Sequence, residues 1–160
     1  GIGTFLTGKT ERPWSAFYYE TMKYYLLPQI LANYGIPSQV LIWTFRDDRQ
    51  RPDITTHDFF LVVLYPEQGI YVKYKMTRET KGSNFLGCPS KSFVDIAVWD
   101  PNNKDVFGQV AQIMNNGGDL SPYKSIDEAT SVTLDEFYEV FLNTDGTDCI
   151  ETPIETWPNP

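Results

Sequence analysis

The stretch that most constrains the fold is DFFLVVLYPEQGIYVKYKMT, residues 58–77. Asp58 to Tyr65 is apolar at both odd and even positions, so a strand there needs cover on both faces. Pro66-Glu67-Gln68-Gly69 is a turn by composition. In Ile70 to Thr77, Ile70, Val72, Tyr74 and Met76 share one face while Lys73 and Lys75 share the other. That alternation predicts a strand in a sheet with one half-solvated surface. Val40 to Phe45 (VLIWTF) is again two-sided, and Phe93 to Trp99 (FVDIAVW) gives a fourth strand with Val94, Ile96 and Val98 inward, stopping at Asp100-Pro101. The polar run 46–58 and the Gly/Ser/Pro/Lys-rich run 78–92 read as long loops, so the four strands form an antiparallel meander.

Helical periodicity flanks this meander. Trp14, Phe17, Tyr18, Met22, Tyr25 and Leu26 recur at three- and four-residue intervals. Pro28 predicts a kink or a fresh start, Gly35 a C-terminal cap and Pro37 a full stop. In DVFGQVAQIMNN, residues 105–116, Val106, Val110 and Ile113 form one stripe, with Phe107, Ala111 and Met114 beside it. Asn115-Asn116-Gly117-Gly118 ends that helix. Two capping-box signatures follow, Ser125-x-x-Glu128 and Thr133-x-x-Glu136. The second opens a helix that buries Leu134, Phe137, Tyr138, Phe141 and Leu142. The expected fold is α+β, with an N-terminal helix and C-terminal helices on a four-stranded antiparallel sheet. Residues 1–13 read as a flexible leader, 14–148 as one domain, and 149–160 as an extended tail. A chain of 160 residues is long enough for such a core without metals or several disulfides.

Some chemistry can be set aside. Gly3 to Thr10 satisfies G-x-x-x-x-G-K-[ST], the phosphate-loop pattern, with Lys9 in the lysine position. Such a loop works by joining a buried strand to a helix N-terminus, and only Gly1 and Ile2 precede it. The match is read as coincidence, and no cofactor is expected. The formal net charge of −8 repels phosphate backbones, so no nucleic-acid partner is expected. Lys73, Lys75, Arg78 and Lys81 form the best basic cluster and read as a solvated strand face. No apolar run reaches membrane-spanning length, so this segment is not expected to insert into a membrane. A signal peptide or lipid anchor upstream of Gly1 is compatible with the sequence.

Candidate sites are few. Cys88 and Cys149, in the turn-like contexts GCPS and DGTDCIETP, suggest a disulfide that staples the C-terminal segment; two reduced thiols are the alternative. His57, the sole histidine, could act as a base with Asp58 or Asp53 in a small hydrolase-like enzyme, against the reading of a solvated loop histidine. Asn143 to Asp148 (NTDGTD) offers Asp145 and Asp148 as oxygen ligands for a hard cation, but lacks the spacing and terminal glutamate of a calcium loop. Turn formation explains it equally, and no metal is expected. Aromatics make up 15% of the chain, and exposed ones anchor partners or sugars. Trp43 and Phe45 on one face of the first strand, with Tyr71 on the outward face of another, are the candidate binding residues for a protein or glycan; cover by helices is the competing reading.

One segment has a familiar pattern. PQILANYGIPSQVLIWTF, then FFLVVLYPEQGIYVKYK, places a helix ending in Tyr34-Gly35-x-Pro37 before an aromatic-bearing strand and a hairpin whose turn ends in Gly69. Residues 28–76 thereby resemble the unit of SmpA/BamE-type outer-membrane assembly lipoproteins and β-lactamase-inhibitor protein, in which a helix packs on a small antiparallel sheet. The resemblance implies an exported, non-catalytic domain that binds other proteins through an exposed sheet face. Gly35 and Pro37 carry over as structural positions. The helical last third has no counterpart in that unit. The reading that emerges is a non-catalytic extracytoplasmic binding or scaffold domain, with periplasm, cell surface or secretion as its location.

Overall fold

The computed structural model describes residues 25–46, 57–145 and 148–159, together with the backbone of Thr4–Lys9. Nine strands are assigned among them: β1 (Thr4–Lys9), β2 (Gln39–Thr44), β3 (Phe59–Tyr65), β4 (Ile70–Met76), β5 (Glu79–Lys81), β6 (Asn84–Gly87), β7 (Ser92–Val98), β8 (Lys124–Ser125) and β9 (Ile150–Pro153). The helices are α1 (Leu27–Tyr34), α2 (Val106–Met114), α3 (Ile126–Ala129) and α4 (Leu134–Asn143). The fold is α+β with antiparallel sheets. The expected single four-stranded sheet is corrected in two ways. The main sheet has six strands in the order β1-β7-β4-β3-β2-β8, and a second sheet has three in the order β5-β6-β9.

The extra strands come from segments whose apolar patterning is weak. Residues 1–13 were expected to be a flexible leader, yet Thr4–Lys9 runs antiparallel to β7, with Leu6 opposite Ile96 and Gly8 opposite Val94. Extended pairing of Gly8 and Lys9 along a strand edge is incompatible with a phosphate loop, whose end must turn into a helix. Gly3 and Thr10 lie outside the described residues. The expected loop 78–92 contains β5 and β6, and the expected tail 149–160 supplies β9, which pairs with β6 in the register Phe85–Thr152 and Gly87–Ile150. Cross-strand pairing, rather than side-chain alternation, makes these short segments strands.

The central elements follow the sequence closely. Pro28 lies in the first turn of α1, where its missing N–H costs nothing; Trp14, Phe17, Tyr18 and Met22 of the expected N-terminal helix lie outside the described residues. Gly35 caps it at φ 80°, and its N–H donates to the Leu31 carbonyl. Gly69 closes the β3–β4 turn in the left-handed region at φ 67°. A Cβ there would collide with the Trp99 carbonyl oxygen, so glycine is required on two counts. Thr133 and Glu136 make the reciprocal capping box that opens α4. Ser125 makes no such cap; it ends β8 opposite Leu41.

Apolar clusters form on both faces of the main sheet. Val40, Ile42, Leu61, Val63, Val72, Tyr74, Val94 and Ile96 pack with Leu27, Ile30 and Leu31 of α1, Phe137 and Phe141 of α4, and Phe85, Ile150 and Trp157 from the second sheet and the segment after it. On the opposite face, Val62, Leu64, Tyr71, Ala97 and Trp99 meet Val106, Val110, Ala111 and Met114 of α2. The half-solvated surface expected for β4 is corrected in part: α2 buries Tyr71 and Lys73, while Lys75 on the same face stays partly exposed. The buried arc of α2 is centred on Val110 and Met114, which leaves Ile113 past its rim and about half exposed.

Candidate functional site

Helix α2 is too short to cover its whole sheet face, and what it leaves open becomes a cleft. Three transverse rows of side chains run across the sheet on that side. Gln39, Leu64, Tyr71 and Ala97 form the row at the α2 end, of which Leu64, Tyr71 and Ala97 pack with that helix. Leu41, Val62, Lys73 and Asp95 form the next, and Trp43, Phe60, Lys75 and Phe93 the outermost. Residues directly opposite in an antiparallel pair share a face, so the register alone assembles these rows. The helix stops where it does because Asn116 takes the left-handed conformation at φ 54° and Gly117 follows at φ 88°. The Gly117 N–H donates to Gln112 and the Asn116 N–H to Ile113, the hydrogen-bond pair of a Schellman stop.

The resulting cleft holds about 420 Å³ and is floored by Trp43, Phe60, Lys73, Lys75 and Asp95. Its wall is Met114 to Asn116, and its rim includes Asp119, Pro122 and Tyr123. Trp43 stacks on Phe60 with ring centres 5.1 Å apart and planes 16° from parallel, and Tyr123 lies 6.0 Å from Trp43. Trp43, Phe60 and Tyr123 are all partly exposed. Lys75 and Asp95 form an ion pair at 2.7 Å.

Asn115 ties the wall to the floor. Its Nδ2 donates to the Tyr71 hydroxyl at 3.0 Å and to the Ala111 carbonyl at 2.8 Å. Its Oδ1 accepts from Lys73 Nζ at 3.1 Å and from the Tyr123 hydroxyl at 3.0 Å. Both donors and both acceptor directions of the amide are thus used. Lys73 also donates to the Met114 carbonyl at 2.9 Å, which caps the negative end of α2. Burial lowers Lys73 to about 8; Asp95 opposes that shift and Lys75 adds to it. Burial pushes Tyr71 up to about 12 and raises Tyr123 as well, so both hydroxyls stay neutral at physiological pH. Truncating Asn115 to alanine leaves Tyr123 and Lys73 each short of an acceptor. It is expected to cost about 2 kcal/mol in urea unfolding, with loss of the order at the end of α2 visible in amide exchange.

The expected site residues have different fates. Trp43 lines the cleft. Phe45 sits 5.5 Å from Trp43, outside the cleft lining, with the Arg78 guanidinium 5.8 Å from its ring. Tyr71 is fully buried beneath α2, so the expectation that it faces a partner is corrected. Asp58 is committed to Arg78: it accepts that residue's backbone N–H at 2.6 Å and stands 3.9 Å from its Nε. The His57 ring meets Phe93 edge-on at 4.8 Å, and Asp53 lies outside the described residues. Among the described residues no group of three or more His, Cys, Asp or Glu could hold a metal, and Asp145 and Asp148 belong to no such group. Cys88 and Cys149 are joined as a disulfide.

Sequence reading passed over Phe60, Lys73, Asn115 and Tyr123. The two-sided pattern of β3 hid Phe60 among core positions. Lys73 and Lys75 looked alike, and nothing local to β4 told that α2 would end over one of them. Only the Asn-Asn-Gly-Gly stop marked Asn115, and it carried no hint of what the amide would hold.

Set against known proteins, the chain matches no family model, no curated protein and no solved structure. No helix among the described residues is long and apolar enough to cross a membrane.

Proposed function

We propose that the chain is a non-catalytic, extracytoplasmic binding domain that takes a sugar ring of a glycan in the cleft beyond α2. The observation that carries this reading is the stacked Trp43–Phe60 platform beside Tyr123, set in a recess with Lys75, Asp95, Asn116 and Asp119 around it. A sugar offers apolar C–H faces to aromatic rings and hydroxyls to charged and amide groups at its edge, and the cleft presents both. Its volume lies in the range of small-ligand sites, whereas a protein partner of ordinary size buries a broad surface. The Lys75–Asp95 pair and the full occupancy of Asn115 support a rigid, preorganised recess rather than proton-transfer chemistry. The Cys88–Cys149 bond supports an oxidising compartment.

A glycan array followed by calorimetric titration tests the reading. Trp43→Ala is expected to weaken binding of the selected glycan by about 2 kcal/mol, roughly thirty-fold in Kd, while the circular dichroism spectrum is unchanged. Unaltered affinity in that variant, or no glycan bound by the native chain, would overturn it.

A further inference from the structure

Two ammonium groups and two carboxylates line the cleft, but they are not matched two and two. Lys75 and Asp95 pair with each other. Asp119, on the rim, accepts from the backbone N–H and hydroxyl of Ser121. Lys73 is 6% exposed and reaches only neutral acceptors, the Met114 carbonyl and the Asn115 amide oxygen. The Phe60 ring, 4.8 Å away, is its other close neighbour. Asp95 lies directly across from Lys73 in the strand register, yet its carboxylate is turned to Lys75. Among the described residues Lys73 makes no ion pair. A desolvated cation in direct contact with no carboxylate of the described residues, helped only at longer range by Asp95, is a feature at the floor of a recess that an incoming anion relieves.

Resting on the glycan reading, we propose that the sugar seated in this cleft carries a single carboxylate, as in a uronic acid or a related acidic monosaccharide, placed against Lys73 beside Lys75. The number of anionic groups is limited by the surroundings. Asp95 and Asp119 stand at the same recess, and the chain as a whole carries a net charge of −8. A polyanion would extend its further charges over that surface. Within about 8 Å, the screening length at physiological salt, each would be repelled. One carboxylate at the end of a neutral chain meets Lys73 at the floor, where Asp95 is already offset by Lys75.

The protonation of Lys73 gives the inference a signature. The groups facing it are Lys75 and Tyr71 on β4, Asp95 on β7, Asn115 after α2, and Tyr123 and Asp119 on the following segment. Tyr71 and Tyr123 are raised and stay neutral through this range. In the free chain Lys73 loses its proton near pH 8. A bound carboxylate favours the ammonium and raises that value, so the complex holds more protons than the free chain above pH 8. Affinity for the acidic sugar is therefore level below about pH 7 and falls as pH rises through 8, by up to about tenfold per pH unit.

The test compares oligosaccharides that end in glucuronic or galacturonic acid with the same oligosaccharides after reduction of the carboxyl to a primary alcohol. Each is titrated calorimetrically into the full chain at pH 6, 7, 8 and 9. The acidic forms are expected to bind at least tenfold tighter at pH 6 and 7, with the preference shrinking several-fold by pH 9. Lys73→Met should erase the preference, and Lys73→Arg should keep it while abolishing its loss at high pH. If Lys73→Met does not fold, the native pH series and the arginine variant decide alone. Equal binding of acidic and reduced sugars, or binding of neutral glycans only, overturns the carboxylate inference and leaves the glycan reading standing. Binding of no sugar of any kind overturns both.

Discussion

Replacing Cys88 and Cys149 together by alanine is expected to lower the unfolding free energy by about 4 kcal/mol. The bond spans sixty-one positions. In the chain-entropy model, opening a loop of that length frees the denatured chain by about this amount. The native state shows why little should be regained by relaxation. Cys88 follows β6 directly and Cys149 precedes β9 directly, and the adjoining residues Gly87 and Ile150 are themselves a strand pair. The crosslink therefore sits at the end of a ladder that already holds the two chains together, so its absence acts on the unfolded ensemble more than on the fold. For a chain of this length a loss of 4 kcal/mol corresponds to a drop in Tm on the order of 10 °C. Thermal melts of the native and doubly substituted chains measure it, with the native chain under reductant as a second route to the same state. A shift below about 2 °C by both routes would show that the crosslink does not restrain the unfolded ensemble to that extent.

The strands β2, β3, β4 and β7 were legible because each carries six or seven residues of strong apolar alternation or two-sided burial, and their bounds agree closely with those read from the chain. Helix α4 was legible from its capping box and its aromatic stripe. The missing strands have another cause. β5 is Glu79–Lys81, exposed throughout, and β8 is two residues long; neither has enough length to express a period. β1 carries Thr, Gly and Lys, and only its partner Val98-to-Phe93 edge explains its extended form. The site was half legible. Trp43 was singled out as partly exposed and does line the cleft, while Tyr71, on the same side of the sheet, was expected to be exposed too and is buried. The difference between the two is where α2 ends, a tertiary contact that neither residue's local sequence reveals. Lys73 shows the converse, since an ordinary alternating lysine became the most buried charge of the described residues once a helix terminus was set over it.

Trp157→Ala is the sharpest test of how far the C-terminal segment belongs to the body of the protein. Trp157 is 1% exposed and lies in the main core cluster with Phe85, Ile150 and Phe137. Its indole N–H donates to the Thr152 hydroxyl at 2.9 Å, and that hydroxyl in turn donates to the Ala129 carbonyl at the end of α3. Around it, Ile154 donates its N–H to the Ser83 carbonyl, and Arg46 Nε donates to the Ile154 carbonyl at 2.8 Å. Removing the ring opens a cavity under several elements at once, and these hydrogen bonds restrain them from closing it. The expected cost is about 3–5 kcal/mol, against a total stability of about 5–15 kcal/mol for a domain, so urea unfolding should shift to a much lower midpoint. Trp157→Phe keeps most of the apolar volume and loses the indole donor, and should cost about 1–2 kcal/mol. The pair of variants separates two arrangements that the disulfide test alone does not. A segment tethered only at Cys149 would lose little in either variant, whereas a segment that closes the core loses most with alanine and partly recovers with phenylalanine. A cost under 1 kcal/mol for Trp157→Ala would place the residues after β9 outside the cooperative unit.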